Sequence, residues 1–142
     1  MLVRLLYVSR AADGKVTPEL TESIMGSARA YNLANGVTGV LCYGGDIFMQ
    51  AIEGGRDEIN ALYSIIMRDP RHKDVVLLHY EEILERRFGG WTMGHVNLAK
   101  LNASVVLKYS ERPELDPYRM SGKVSLALLE ELMLTASVIG RA

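Results

Sequence analysis

A single cysteine, Cys42, leaves no intramolecular disulfide, no CxxC redox motif and no cysteine-rich zinc site. The chain also lacks any run of about 18 apolar residues that could span a bilayer. Its first residues, MLVRLLYVSRAADG, enter a strand pattern without the long apolar stretch and small-residue cleavage site of a secretory signal. Neither sign of charge is in excess: 16 Lys and Arg face 17 Asp and Glu, a formal net charge of −1, which argues against a polyanion-binding surface and so against nucleic acid as a partner. No repeat, low-complexity tract or dinucleotide-binding glycine fingerprint is present. His79 and His95 have no metal-ligand spacing with an acidic or cysteine partner, so they read as strand residues and no metal site is predicted. These absences leave a soluble, cytoplasmic protein with no membrane attachment. It forms one domain, since 142 residues at 49% hydrophobic content suffice for one core and fall short of two.

What the chain does have is a strong hairpin signal, VTGVLCYGGDIFMQAIEGG, from Val37 to Gly55. Strand-like residues flank Gly44-Gly45, and glycines supply the positive φ angles of tight hairpin turns. A two-residue loop at these glycines predicts the pairs Cys42 with Ile47, Leu41 with Phe48, Val40 with Met49, Gly39 with Gln50 and Thr38 with Ala51. Both faces are then mostly apolar, as in a central pair covered on two sides. On the face of Leu41, Phe48 and Ile52 the polar side chain is Gln50, opposite Gly39, which leaves a hole beside a buried amide. An unpaired amide there costs about 1–3 kcal/mol, so it needs a partner; a neighbouring strand or a buried water would satisfy a merely structural glutamine.

Around the hairpin the elements follow in order. Leu2 to Arg10 is a buried strand with Leu5, Tyr7 and Ser9 on one face and Leu6 and Val8 on the other. Thr17-Pro18 opens a helix over 17–35, with Leu20, Ile24, Ala28 and Tyr31 at helical spacing and Asn35-Gly36 as its stop. A second helix starts near Asp57, buries Ile59, Leu62, Tyr63 and Ile66, and ends at Pro70. Val75 to Tyr80 and Trp91 to Asn97 read as further strands. This order predicts an α+β, ferredoxin-like mixed β-sheet with two helices on one face. The second face falls to a C-terminal helical extension: a short helix within Leu98 to Tyr109, breaks at Pro113 and Pro117, and a helix from Ser121 to Ile139. Val124, Leu126, Leu128, Leu129, Leu132, Met133 and Val138 give that last helix more apolar surface than one sheet face needs, so a homodimer or partner contact and a wholly intramolecular packing both stand. The expected division is 1–97 and 98–142.

In a ferredoxin-like sheet the first strand lies beside the third, so Tyr7 and Gln50 meet beneath the helices, each with a donor and an acceptor. By itself Tyr7 is a half-buried strand aromatic, Asn32 a fraying helix-end residue, Ile24 and Ile66 core, and Asp69-Pro70-Arg71-His72 a solvated basic turn. No clear acid–base pair flanks the site.

Taken together, the motifs L-x-Y-x-S (Leu5, Tyr7, Ser9), N-G-V-T-G-V-L (Asn35 to Leu41), F-M-Q-A-I-E-G (Phe48 to Gly54), D-x-R-H (Asp69 to His72) and R-F-x-x-W-x-M (Arg87 to Met93) resemble the BLUF family of flavin-binding blue-light receptor domains, over about residues 1–97. The resemblance implies a non-covalently bound FAD, with Ser9, Ile24, Asn32, Phe48, Gln50, Ile66, Asp69, Arg71 and His72 as binding residues. It further implies that Tyr7 gives an electron and a proton on excitation, that Gln50 is left rotated or tautomerised, and that Trp91 or Met93 lies beside it and passes the change to the C-terminal helices. The expected function is light sensing towards an unidentified downstream protein, without catalysis. A small flavin-dependent or cofactor-free oxidoreductase of ferredoxin-like fold is the competing expectation.

Overall fold

The structure is a computed structural model that describes residues 1–135, 139 and 140. In chain order it runs β1 (Leu2–Ala11), α1 (Pro18–Asn35), β2 (Thr38–Gly44), β3 (Ile47–Gly55), α2 (Arg56–Met67), β4 (His72–Ile83), β5 (Gly94–Asn97), α3 (Ala103–Tyr109) and α4 (Gly122–Leu134), with 3₁₀ turns at Leu98–Lys100 and Pro117–Arg119. The sheet order is β4-β1-β3-β2-β5. The first four strands form the antiparallel ferredoxin-like arrangement, and β5 is added parallel to β2.

Local chemistry sets the helix ends. Thr17 Oγ1 accepts the Leu20 N–H at 3.1 Å, and Pro18 occupies the first turn of α1. The chain turns at Gly36, whose N–H is donated to the Asn32 carbonyl. α2 follows β3 with Asp57 and Glu58 in its first turn, where acidic groups favour a helix N-terminus.

Residues alternating along the strands feed two cores. Leu5, Tyr7, Leu41, Phe48 and Ile52 face α1 and α2 and meet Met25, Ile59 and Leu62. Leu6, Val40, Cys42, Met49 and Ala51 face the C-terminal helices and meet Leu126, Leu128, Leu129 and Leu132. Met133 packs partly buried against this second core, so the apolar surface of α4 is largely satisfied within the chain. Val138 lies outside the described residues.

Four expectations are corrected. The hairpin turns at Gly45-Asp46: Gly45 has φ +60°, and the register is Gly44–Ile47, Cys42–Met49, Leu41–Gln50 and Gly39–Ile52. Asp46 is fixed from β1, its carbonyl accepting the Ala11 N–H at 2.7 Å and its carboxylate pairing with Arg10 at 2.8 Å. The slip of two residues keeps every side chain on its expected face, but it puts Leu41, not Gly39, opposite Gln50. The hole beside Gln50 therefore does not come from Gly39. A Cβ there would lie 2.3 Å from the Ala51 carbonyl oxygen, so the glycine serves close strand approach. β4 is longer than Val75 to Tyr80 because an edge strand, laddered on one side to β1, tolerates polar ends such as His72-Lys73-Asp74 and Glu81-Glu82. The final strand begins at Gly94, since the Thr92 carbonyl is taken by the Asn32 side chain and residues 91–93 leave the ladder. Finally, α4 ends at Leu134, and the Ile139 backbone pairs with His95 beside β5.

Candidate functional site

Tyr7 and Gln50 are direct cross-strand partners on β1 and β3, 3% and 4% exposed. The Tyr7 hydroxyl donates to Gln50 Oε1 at 2.5 Å, which leaves the Gln50 Nε2 group to donate towards Met93 Sδ at 3.5 Å. Chemistry thus orients the amide: a phenol proton on one end, a weak sulfur acceptor on the other. Met93 lies against Gln50, deep in the core beneath α1 and α2. The Trp91 carbonyl accepts the Gly39 N–H at 2.9 Å, which ties the chain ahead of β5 to the edge of β2.

Above this pair lies a cavity of about 190 Å³ between α1, α2 and the sheet. Its walls are aliphatic, Ile24 and Ala28 from α1 and Leu62, Ile65 and Ile66 from α2; its floor is Tyr7, Leu41, Phe48 and Gln50. Ser27, Tyr31, Asn32, Asp69, Arg71 and His72 add polar groups. Asn32 is 1% exposed, so it is no fraying residue. Its Nδ2 donates to the Thr92 carbonyl at 2.7 Å, while its Oδ1 is buried with no hydrogen-bond partner among the described residues. A buried acceptor left open costs free energy unless a ligand meets it.

The rim is one bonded unit. Arg71 Nε and Nη2 donate to Asp69 at 2.6 to 3.0 Å, and its Nη1 reaches Ser23 Oγ at 2.9 Å on α1. Burial alone would raise the Asp69 carboxyl, but the hydrogen bonds and charge of Arg71 outweigh it and hold it below its ordinary value. His72 Nε2 donates to the Ile66 carbonyl at 2.5 Å, and Nδ1 shares a hydrogen bond of 2.7 Å with Ser9 Oγ. The Tyr7 phenol is pushed well above its ordinary value, chiefly by burial and next by the Asp69 carboxylate, so it stays protonated.

Of the residues expected from sequence, Tyr7, Ile24, Asn32, Phe48, Gln50, Ile66, Asp69, Arg71 and His72 line this one cavity. Ser9 does not; it is buried behind His72 and bonded to it. Ser27 and Ile65 line the cavity without having been singled out, and only the α1 and α2 helix periods could have pointed to them. Elsewhere, burial drives the Cys42 thiol up to about 12, so it is inert at neutral pH. His95 stacks on Tyr43 with ring centroids 6.2 Å apart, and its pKa is lowered by burial and by Arg29. Among the described residues no cluster of His, Cys, Asp or Glu could hold a metal ion, and no helix is long and apolar enough to cross a membrane.

The arrangement suits a flat heteroaromatic ligand: aliphatic walls for its faces, an open amide oxygen and a second amide for a polar edge, and an arginine at the rim. Flavin chemistry fits that donor set. The profile of the BLUF family, described as sensors of blue-light using FAD, matches residues 2–94, and the chain belongs to this family.

Among curated relatives it is 38% identical over 93 residues to the photoactivated adenylate cyclase subunit beta of Euglena longa, covering 65% of this chain and 11% of that protein. It is 34% identical over 89 residues to the blue light- and temperature-regulated antirepressor BluF of Escherichia coli (strain K12), covering 63% of this chain and 22% of that protein. The chain thus spans about a tenth to a fifth of the length of these relatives. Among solved structures it matches BlsA in its photo-activated state with TM-score 0.83 and 27% identity, over 100% of this chain and 99% of that one. It matches the dark-state BLUF protein BlrB with TM-score 0.76 and 32% identity, over 95% and 96%.

Proposed function

We propose that this protein is a blue-light photoreceptor that binds FAD non-covalently between α1 and α2 and signals to a separate protein. The observation that carries this is the Tyr7–Gln50 hydrogen bond, buried at the floor of a cavity with aliphatic walls and an open Asn32 acceptor. A bound flavin would supply blue-light absorption and an excited ring that accepts an electron. Ile24 and Ile66 would pack on its faces, Asn32 and Gln50 would bond its polar edge, and Phe48 would support it from the sheet. Arg71, held by Asp69, would meet the ribityl and phosphate portion. Both His72 nitrogens are engaged within the protein, so His72 walls the site and Ser9 acts by fixing it.

Tyr7 is the electron donor in this reading. Its proton already points at Gln50 Oε1, so loss of an electron from the phenol hands that proton to the amide. Return of the electron and a proton to Tyr7 would leave Gln50 either rotated, with its ends exchanged between Tyr7 and Met93, or tautomerised, with donor and acceptor exchanged in place. In a dry site the difference is worth about 1–3 kcal/mol, enough to bias a segment with two arrangements. That segment is 91–93, ahead of β5. Residues 1–97 form the sensing unit and 98–142 the extension that reads it.

The role is sensing without catalysis, and the supporting likeness is to BlsA and BlrB, whose solved chains are of similar length. We place the protein in the cytoplasm, acting on a partner as the antirepressor BluF does by name. A second copy of this chain is the alternative partner, and sizing under light and dark separates the two.

The direct test is the visible spectrum of the purified protein in darkness and under blue light, with the released cofactor identified after denaturation. An oxidised-flavin spectrum that moves slightly to the red, recovers in the dark and releases FAD is expected. A protein that stays colourless after incubation with FAD would end this reading, and light-independent turnover would favour an oxidoreductase.

A further inference from the structure

We propose that Glu53, neutralised by Arg4, is a positioning residue that fixes the chain between β4 and β5 and thereby sets Met93 against Gln50. Glu53 and Arg4 are cross-strand partners on β3 and β1, 0% and 1% exposed, on the face towards the C-terminal helices. Such burial is costly for a carboxylate unless it is used. Here both oxygens are used. Oε2 accepts Arg4 Nε at 2.8 Å and the Arg87 N–H at 3.0 Å, and it pairs with Arg4 Nη2 at 2.6 Å. Oε1 accepts the Phe88 N–H at 2.6 Å. Arg4 Nη1 turns outward to Glu81 at 2.5 Å, and its guanidinium lies 5.9 Å from the centre of the Phe88 ring.

The consequence is a strap with two fixed ends. Phe88 is 0% exposed in the core beside α4, whereas Met93 is 1% exposed in the core beneath α1 and α2. Between them the chain passes from one face of the sheet to the other around the edge of β2. The far end is tied by Gly39 N–H to the Trp91 carbonyl, Asn32 Nδ2 to the Thr92 carbonyl, and Gln50 Nε2 to Met93 Sδ. Arg86 reinforces the near end from outside, donating to Thr38 Oγ1, the Glu53 carbonyl and the Gly36 carbonyl. The Arg87 side chain pairs with Glu130 on α4. Glu53 thus holds fixed the near end of a segment whose far end rests on Gln50, three residues away on the opposite face of β3.

This inference rests on the photoreceptor reading only where it treats Gln50 as the switch, so its test is made in the dark. Amide hydrogen exchange and the Met93 methyl resonance are followed by NMR on the full chain with its bound cofactor. In Glu53→Gln an NH2 group must face a donor at one end. The Arg87, Phe88 and Gly39 amides are then expected to exchange about tenfold faster, and the Met93 methyl to shift, with the β1–β3 ladder unchanged. Arg86→Ala, which leaves the buried pair intact, is expected to speed Gly39 exchange about threefold.

Unchanged Gly39 protection and an unmoved Met93 methyl in Glu53→Gln would overturn the proposal and reduce the pair to local structure. If Glu53→Gln does not fold, the same null result in Glu53→Asp, which keeps the charge beside Arg4 but draws the carboxylate back from the Arg87 and Phe88 amides, overturns it. A parent protein without a light-induced shift would end the photoreceptor reading and leave this dark-state result standing.

Discussion

The two faces of one sheet do opposite things with alternate residues of the same strands. Towards α4, beside the buried Arg4–Glu53 pair, the side chains are apolar: Leu6, Met49, Ala51 and Leu128 are each 0% exposed and share one core with Leu126, Leu129 and Leu132. Towards α1 and α2 the next residues along, Tyr7 and Gln50, sit under a cavity with an unsatisfied amide oxygen above them. A protein interior is normally packed as densely as a crystal, so the open face gives up packing to keep space and polarity for a ligand. The closed face makes up the stability. Glu53, Phe88 and the strap to Met93 join the two.

Breaking the closed face should therefore cost the most stability. Leu129→Ala leaves a void among fully buried leucines, and we expect a loss of about 2–5 kcal/mol in urea unfolding with flavin affinity per folded molecule little changed. The matched change on the open face, Ile66→Ala, removes a half-buried wall of the cavity. It should cost no more than about 1.5 kcal/mol of apoprotein stability but weaken flavin binding markedly. Equal stability losses from the two would mean that the faces do not differ in this way.

Much of this contrast could be read from the sequence. The caps at Thr17 and Gly36, the two-sided hairpin and the placing of Tyr7 beside Gln50 follow from local chemistry and strand order. What could not be read is long-range. Two adjacent glycines admit two turn positions, and contacts from Arg10 and Ala11 on β1 choose the second. Arg4 and Glu53 look like ordinary charged strand residues until their pairing across 49 positions shows them to be buried. Asn32 looks like a fraying helix end until Thr92 takes up its amide. Trp91 and Met93 share a strand pattern, and only the chain's passage around β2 separates the one from the other.

A smaller effect sharpens the rim. Because the Asp69 carboxyl lies below its ordinary value in the fold, the unfolded chain binds its proton more readily. Its contribution is complete above the unfolded titration, near pH 4, and disappears as the pH falls through the lowered folded value. Asp69→Asn should then lower stability by up to about 1 kcal/mol at pH 7, with the parent and variant curves converging in acid. A constant offset down to pH 2.5 or so would locate the effect in packing rather than charge.

The measurement closest to the central claim is the light-minus-dark spectrum of Gln50→Leu beside that of the parent. The variant keeps the cavity's shape but removes both the acceptor for the Tyr7 hydroxyl and the donor to Met93. Flavin is expected to remain bound in the variant and the reversible red shift to be lost. A variant that holds flavin and shifts and recovers as the parent does would contradict the assignment of Gln50 as the switch.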